Sequence, residues 1–266
     1  MSLYDRLRLA ARLGALAPVF LVGLPLQALL LRFSPRAAAR APVVFHRLVC
    51  RILGLKIRLV TPMPGPGAML IVSNHVSWLD IVVIGALRPV SFIAKSEVAG
   101  WPGAGMLARL QRTLFVDRQN RRAAAASATA IAGRLAADEA IVLFAEGTTS
   151  DGNRVLPFRS ALLAAACPDE GSAVPVQPMA LVYARQNGLP AGRRERPGIA
   201  WYGDMDLAPH LVTLLSSGAV DVAVGFGEPL AGTTPAHRKA LARAAEDSVR
   251  ALVQRAGQPP APAGSA

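Results

Sequence analysis

At 266 residues the chain is long enough for one large domain or two small ones, and a single core with a short extra segment is the expected arrangement. Hydrophobic residues make up 52%, more than an average soluble domain carries, and Lys and Arg outnumber Asp and Glu 29 to 17, a formal net charge of +12. That excess asks for an anionic partner; with aromatics at only 5%, base stacking has little to work with, so nucleic acid is set aside in favour of a membrane surface.

The first element is an uncharged run, Leu13 to Leu31 (LGALAPVFLVGLPLQALLL), which as a straight helix reaches about 28 Å, close to the hydrocarbon thickness of a bilayer. Pro18, Gly23 and Pro25 argue against a straight rod, so a spanning helix and a kinked one dipping into one leaflet both stay open. Arg6, Arg8 and Arg12 precede the run and Arg32, Arg36 and Arg40 follow it, which suits a segment with both ends near anionic headgroups and gives no orientation by Lys/Arg asymmetry. A cleaved signal peptide fits less well, because the run is longer than a usual apolar region and Ala37 to Ala39 is a weak cleavage site. Residues 1–41 are therefore read as a membrane-anchoring helical segment.

Residues 42–60 begin as a helix with Val44, Leu48, Arg51, Ile52 and Leu55 on one face and Gly54 as its stop, and Arg47, Arg51, Lys56 and Arg58 extend the cationic belt. After the turn cluster TPMPGPG (61–67), short apolar runs at 68–74, 90–95, 113–117, 140–146, 174–184, 198–203 and 220–227 read as strands. Helical stretches at 78–87, 97–110 and 120–137 alternate with them; the last of these has an Asn120 cap and carries Ala124, Ala128, Ile131 and Leu135 on one face. A final helix starts at Thr234-Pro235 and buries Leu241, Ala245, Val249 and Leu252, before a tail, 257–266, that reads as disordered. The pattern predicts an α/β domain over 42–256, with a central mostly parallel or mixed sheet flanked by helices, and places the chemistry in loops at strand ends. Cys50 and Cys167 sit in apolar company and read as core residues.

The sharpest feature is SNHVSWLD (73–80), directly after a strand. A loop entering a helix there can let Asp80 accept a hydrogen bond from one nitrogen of His75, leaving the other as a general base. Asn74 and Ser77 can hold that loop, and Trp78 can anchor it. The bland alternative makes Asp80 a helix N-terminal acid and His75 an ordinary loop residue. TLFVDR (113–118) ends in Arg118, suited to a phosphate, with Lys95 at the end of the neighbouring strand. Arg121 and Arg122 read as a solvated rim. FAEGTTSDG (144–152) gives a tight turn, Glu146-Gly147 and then Thr148, that can present N–H groups to an anion or an oxyanion. VPVQP (174–178) reads as a buried strand whose prolines mark an edge or bulge. His46, His210 and His237 are scattered and no metal site is expected.

Taken together and in this order, N-H-x4-D, F-V-D-R, F-x-E-G-T and V-P-V-Q-P resemble the glycerolipid acyltransferase family over residues 68–184, and the bacterial 1-acyl-glycerol-3-phosphate acyltransferases most. The resemblance implies transfer of an acyl group from coenzyme A or acyl carrier protein, with no cofactor, to the sn-2 hydroxyl of a lysolipid to give phosphatidic acid. It implies His75 as base, Asp80 as its partner, and Arg118, Glu146 and Gly147 around the glycerol phosphate; Asn74, Lys95, Thr148 and Arg159 are counted with them as substrate-binding residues. It further implies an inner (cytoplasmic) membrane enzyme with its catalytic domain on the cytoplasmic side. Two positions depart from the family pattern: Ala145 stands where Pro is usual, and Thr149 where Arg is frequent, with Arg154 or Arg159 placed to compensate. The segment AWYGDMDLAPHL (200–211) is similar to a branch acting on lyso-ornithine lipids, whose acceptors carry no phosphate. That branch, or a catalytically silent membrane-binding homologue, is the alternative.

Overall fold

The computed structural model describes residues 1–117, 121–161, 163, 174–231 and 237–257, and the side chains of these except 121–125. Arg118, the Asn120 cap, Cys167, the Thr234-Pro235 helix start and all but the first residue of the tail lie outside them.

The N-terminal helix is longer than its apolar run. Helix α1 (Leu3–Phe33) opens on a capping box in which Asp5 N–H donates to Ser2 Oγ at 3.1 Å and Ser2 N–H to Asp5 Oδ2 at 2.8 Å. It contains both Pro18 and Pro25 within one unbroken helix. Helix α2 (Pro35–Leu53) runs straight across residues 41 and 42, and ends at Gly54 in the left-handed region (φ 74°), as the sequence suggests.

The strands are β1 (Leu55–Leu59), β2 (Met69–Ser73), β3 (Ser91–Lys95), β4 (Leu114–Val116), β5 (Ala140–Phe144), β6 (Val176–Gln186), β7 (Leu189–Pro190) and β8 (Val220–Phe226). Among the described residues they form one sheet in the order β1-β8-β6-β2-β5-β3-β4, with β7 paired to β6. All pairings are parallel except β6 with β7 and β8. Helices cover both faces, which is why β2 and β5 are continuous apolar runs buried at every position. On one face lie α1, α2, α3 (Leu79–Leu87) and α6 (Leu207–Ser216), packed on Ile71, Val142, Phe144, Met179, Leu181, Val222 and Val224. On the other, α5 (Arg121–Ala136) and α7 (Arg238–Ala256) bury Ile131, Leu135, Leu241, Ala245, Val249 and Leu252 against Leu70, Val72, Leu143 and Ala180. Cys50 is a buried core residue of α2 whose thiol burial pushes up to about 12.

Several expectations are corrected. Residues 198–203 are not a strand: a single turn of 3-10 helix at Arg196–Gly198 leads into irregular chain, because Pro197, Gly198 and Gly203 spoil a ladder and Ile199 and Ala200 are buried as a plug under α6. The stretch 97–110 is two pieces, a 3-10 turn at Ser96–Gly100 and α4 (Ala104–Leu110), split at Pro102-Gly103. Strand β6 is interior, between β2 and β8, not an edge. Pro178 lies one residue beyond the last β6–β8 pair, Met179–Phe226, and offers its carbonyl to Gly227 N–H; the irregularity in register falls instead at Tyr183/Arg185.

Candidate active site

Two parallel strands end side by side and a third runs past them: Ser73, the last residue of β2, pairs with Phe144, the last of β5, on one side and with Met179 within β6 on the other. The chain leaving β2 turns through residues 74–78 into α3. Asp80, in the first turn of that helix, is fully buried, and its carboxylate accepts from four donors. Oδ2 takes His75 Nδ1 at 2.7 Å, Val76 N–H at 2.7 Å and Ser77 N–H at 3.0 Å; Oδ1 takes the hydroxyl of Tyr183 at 2.6 Å. Such saturation is what lets a carboxylate stay charged away from water. A carboxylate only accepts, so Nδ1 carries the proton and Nε2 is left as an acceptor. The His75 ring lies flat on Phe144, centroids 3.8 Å apart at 10°, with 18% of its side chain exposed. The imidazole is thus fixed by a carboxylate at one edge and a ring beneath, and its free nitrogen is all it has to offer a substrate.

The second motif supports the same loop. Glu146 is buried, and its Oε1 accepts the His75 backbone N–H at 3.1 Å, while Oε2 has no partner among the described residues. Burial pushes its carboxyl up to about 8, against the N–H groups of His75 and Leu156, which favour the charged form. Gly147 (φ 75°) makes the turn that only glycine takes without strain, and its N–H returns to Phe144 O at 3.1 Å. It is therefore occupied, and the N–H groups of Thr148 and Thr149, which bond to no described residue, are the ones available to an anion. Ser150 N–H then donates to His75 O at 2.9 Å, tying this loop to the catalytic one.

Asn74, expected among the substrate-binding residues, instead spends its amide on β6: Nδ2 donates to Leu181 O and Leu181 N–H to Oδ1, both at 2.9 Å. It holds the loop. Lys95 is exposed at the C-terminal end of β3, on the same sheet edge, and Arg118 falls outside the described residues beyond the end of β4. Arg159 is brought alongside the second motif by its backbone N–H, 2.8 Å from Ala145 O, with its side chain exposed. The residue sequence reasoning missed is Tyr183. Strand β6 is eleven residues long against five for β2, so it overhangs the loop. Met179, Leu181 and Tyr183 share one face by the period of two, and the polar tip in that apolar row was the available signal. Burial, then the charge of Asp80, raise the Tyr183 hydroxyl well above its ordinary value and keep it a donor. Trp78 is anchored as expected, its Nε1 donating to His210 Nδ1 at 3.1 Å; burial lowers His210, which suits a neutral acceptor.

An acyltransferase family model matches residues 55–182, and a lyso-ornithine lipid O-acyltransferase of Brucella abortus is 49% identical over 94% of this chain and 95% of its own. The chain belongs to the acyltransferase family. Other acyltransferases that it resembles are a lyso-ornithine lipid O-acyltransferase of Rhizobium meliloti, 41% identical over 90% of this chain and 83% of that one, and a 1-acyl-sn-glycerol-3-phosphate acyltransferase of Neisseria meningitidis, 33% identical over 82% and 83%. The crystal structure of the LPA acyltransferase PlsC of Thermotoga maritima shares the fold, with a TM-score of 0.64 at 18% identity, covering 97% of this chain and 98% of that one. Acyl transfer to a lysolipid is the activity that this family membership supports, and α1, long and apolar enough to cross a bilayer, accords with association with a membrane.

Proposed function

We propose that this acyltransferase moves a fatty acyl group from a thioester, carried by coenzyme A or acyl carrier protein, to the free hydroxyl of lyso-ornithine lipid. The observation that carries the chemistry is His75 held at Nδ1 by a four-donor carboxylate. Nε2 takes the proton of the acceptor hydroxyl as that oxygen attacks the thioester carbonyl. The N–H groups of Thr148 and Thr149 receive the oxyanion. As the intermediate collapses, the C–S bond breaks and the imidazolium returns the proton to the leaving thiolate, giving ester and thiol. A positioned base of this kind contributes about 10²–10⁴-fold in rate.

The choice of acceptor rests on position 149 and on relatives. Thr149 supplies no guanidinium to the turn, and a zwitterionic ornithine headgroup, with one carboxylate beside its own ammonium, asks less for one than a phosphate dianion does. The Brucella and Rhizobium relatives bear the lyso-ornithine name at higher identity than the Neisseria protein bears the glycerol phosphate name. Glycerol phosphate is the second reading, favoured by the cations Lys95 and Arg159 at the sheet edge. Purified enzyme given one acyl thioester and either acceptor separates them. Lyso-ornithine lipid should be used with the higher kcat/KM, and preference for 1-acyl-glycerol-3-phosphate reverses the assignment. His75→Ala should abolish transfer to both while the protein still folds and binds vesicles; near-normal transfer removes the mechanism.

The same proposal puts α1 in the plane of the cytoplasmic leaflet of the inner membrane. Near one end Arg12 Nη1 donates to the carbonyls of Leu214, Leu215 and Ser217 and Arg8 Nη1 to Ser216 O; near the other, Gln27 Nε2 donates to Ala38 O and Leu110 O. A helix docked on the domain at both ends enters a bilayer only sideways, by its outer face of Leu13, Leu21, Val22, Leu26 and Leu29.

A further inference from the structure

The helix that meets the membrane and the loop that carries His75 are joined by a line of exposed apolar side chains. Gln27 of α1, between the exposed Leu26 and Leu29, is bonded to the last residue of α4, Leu110. One turn back along α4, Met106 is 49% exposed, and three residues before the helix Trp101, 43% exposed, accepts the Gly105 N–H through its carbonyl. The Trp101 ring stands edge-on to Trp201, with centroids 6.0 Å apart at 88°. Trp201 in turn donates its backbone N–H to Val76 O at 2.9 Å, one residue from His75, and its Nε1 to the carbonyl of the exposed Met205 at 2.8 Å. Ile199 and Ala200, which lead into Trp201, pack on the sheet face that carries α1 and includes Phe144, the ring on which His75 stacks.

A soluble protein rarely leaves a tryptophan and two methionines exposed around a second, half-buried tryptophan without a use for them. Trp201 is fixed by two hydrogen bonds, and fixed aromatic surface covers an alkyl chain at little entropic cost. We propose that the Trp101–Trp201 pair, with Met106 and Met205, binds the acyl chain of the lysolipid acceptor as it passes from the α1 surface to His75. The chain is the acceptor's because the strip begins at the helix that faces lipid, where that substrate resides. This rests on the lysolipid reading above.

The test substitutes Trp101, whose exposure leaves the core intact. With a long-chain lyso-ornithine lipid and a water-soluble short-chain homologue as acceptors, Trp101→Ala should raise KM for the long-chain acceptor about tenfold, the effect of roughly two methylene groups losing apolar cover. KM for the short-chain acceptor and for the acyl donor, and kcat, should stay as in wild type, and Trp101→Phe should recover most of the loss. An unchanged KM for the long-chain acceptor, an equal rise for both acceptors, or a rise confined to the donor overturns the proposal. A binding measurement keeps it apart from the activity: in the His75→Ala protein, a lysolipid with a brominated chain should quench tryptophan fluorescence, and less so when Trp101 is also Phe. Equal quenching with and without Trp101 rejects the strip whatever the enzyme acylates; quenching lost with Trp101, alongside a wild type that acylates neither lysolipid, upholds the strip and rejects the function.

Discussion

Asn74 and Leu181 bond to each other at both ends of one amide, 2.9 Å each way, and so clamp the catalytic loop to the middle of β6. Neither group has water to fall back on, because Asn74 is buried. Asn74→Ala leaves a buried N–H and a buried C=O of Leu181 unpaired, which costs about 1–3 kcal/mol apiece. Urea unfolding should show that loss, and kcat should fall with KM for the lysolipid little changed. A rise in KM alone, with full stability, would return Asn74 to the substrate.

Tyr183 acts on His75 only through Asp80. Among the described residues its hydroxyl is the sole donor on Oδ1, so Tyr183→Phe strips that oxygen while keeping the ring packed. A lost hydrogen bond to a charged group is worth about 1.5–3 kcal/mol, and part of it should surface as roughly tenfold in kcat at constant KM. In an Asp80→Asn background the same change should cost less, because the carboxylate it serves is gone. Additive losses would make Tyr183 a packing residue.

Glu146 gives stability a pH dependence of definite sign. Its carboxyl is raised from 4.5 to about 8 by burial, so in between the folded state holds a proton that the unfolded chain has lost. That contribution is complete below about 4.5 and disappears as pH rises through about 8, on the order of a few kcal/mol in all. Glu146→Gln fixes the neutral form. Melting temperatures of the variant relative to wild type should therefore climb between pH 5 and pH 8.5, and a difference that stays flat across that range contradicts the burial argument.

What the sequence disclosed, and what it hid, follows from where each signal resides. Runs such as MLIVS and AIVLF announce their strands because burial on both faces leaves almost no polar position, Ser73 at the end of the first being the exception. His75 and Asp80 are close in sequence, so a local turn suffices to join them. Tyr183 meets Asp80 across 103 residues, and only the β2–β6 register creates that contact. Residues 198–203 have the composition of a strand, yet the sheet has no edge to spare beside β6, and they plug the space below α6 instead. Helix α6 itself passed unseen, being ten residues, seven of them apolar, with His210 as their one charge-capable group. Residues 1–41 read as helical, yet the use of the basic residues before the apolar run was hidden: Arg8 and Arg12 cap the C-terminal carbonyls of α6, which no periodicity reveals.

Docking at Arg12 and at Gln27 predicts one-sided accessibility for α1. Leu3 and Phe33, at its two ends, are 75% and 72% exposed. Replaced singly by Cys in a chain whose Cys50 and Cys167 are Ala, both should resist a membrane-impermeant maleimide in intact cells and react once the membrane is opened. Labelling of just one of them in intact cells would mean that α1 crosses the bilayer.

Position 149 offers a gain of function. Thr149 is half-buried in the turn after Glu146-Gly147, one residue before Ser150 binds the catalytic loop, and its neighbourhood already holds the exposed Arg159. A guanidinium added there makes bidentate bonds to a doubly charged phosphate, whereas an ornithine headgroup offers it a singly charged carboxylate that travels with its own ammonium. Thr149→Arg should raise kcat/KM for 1-acyl-glycerol-3-phosphate relative to lyso-ornithine lipid by about tenfold, chiefly through KM, since the charge binds substrate and transition state alike. Thr149→Lys, a point charge, should give less. If the ratio between the two acceptors does not move in either variant, the turn lies away from the headgroup, and the absence of Arg at this position says nothing about which lysolipid the enzyme takes.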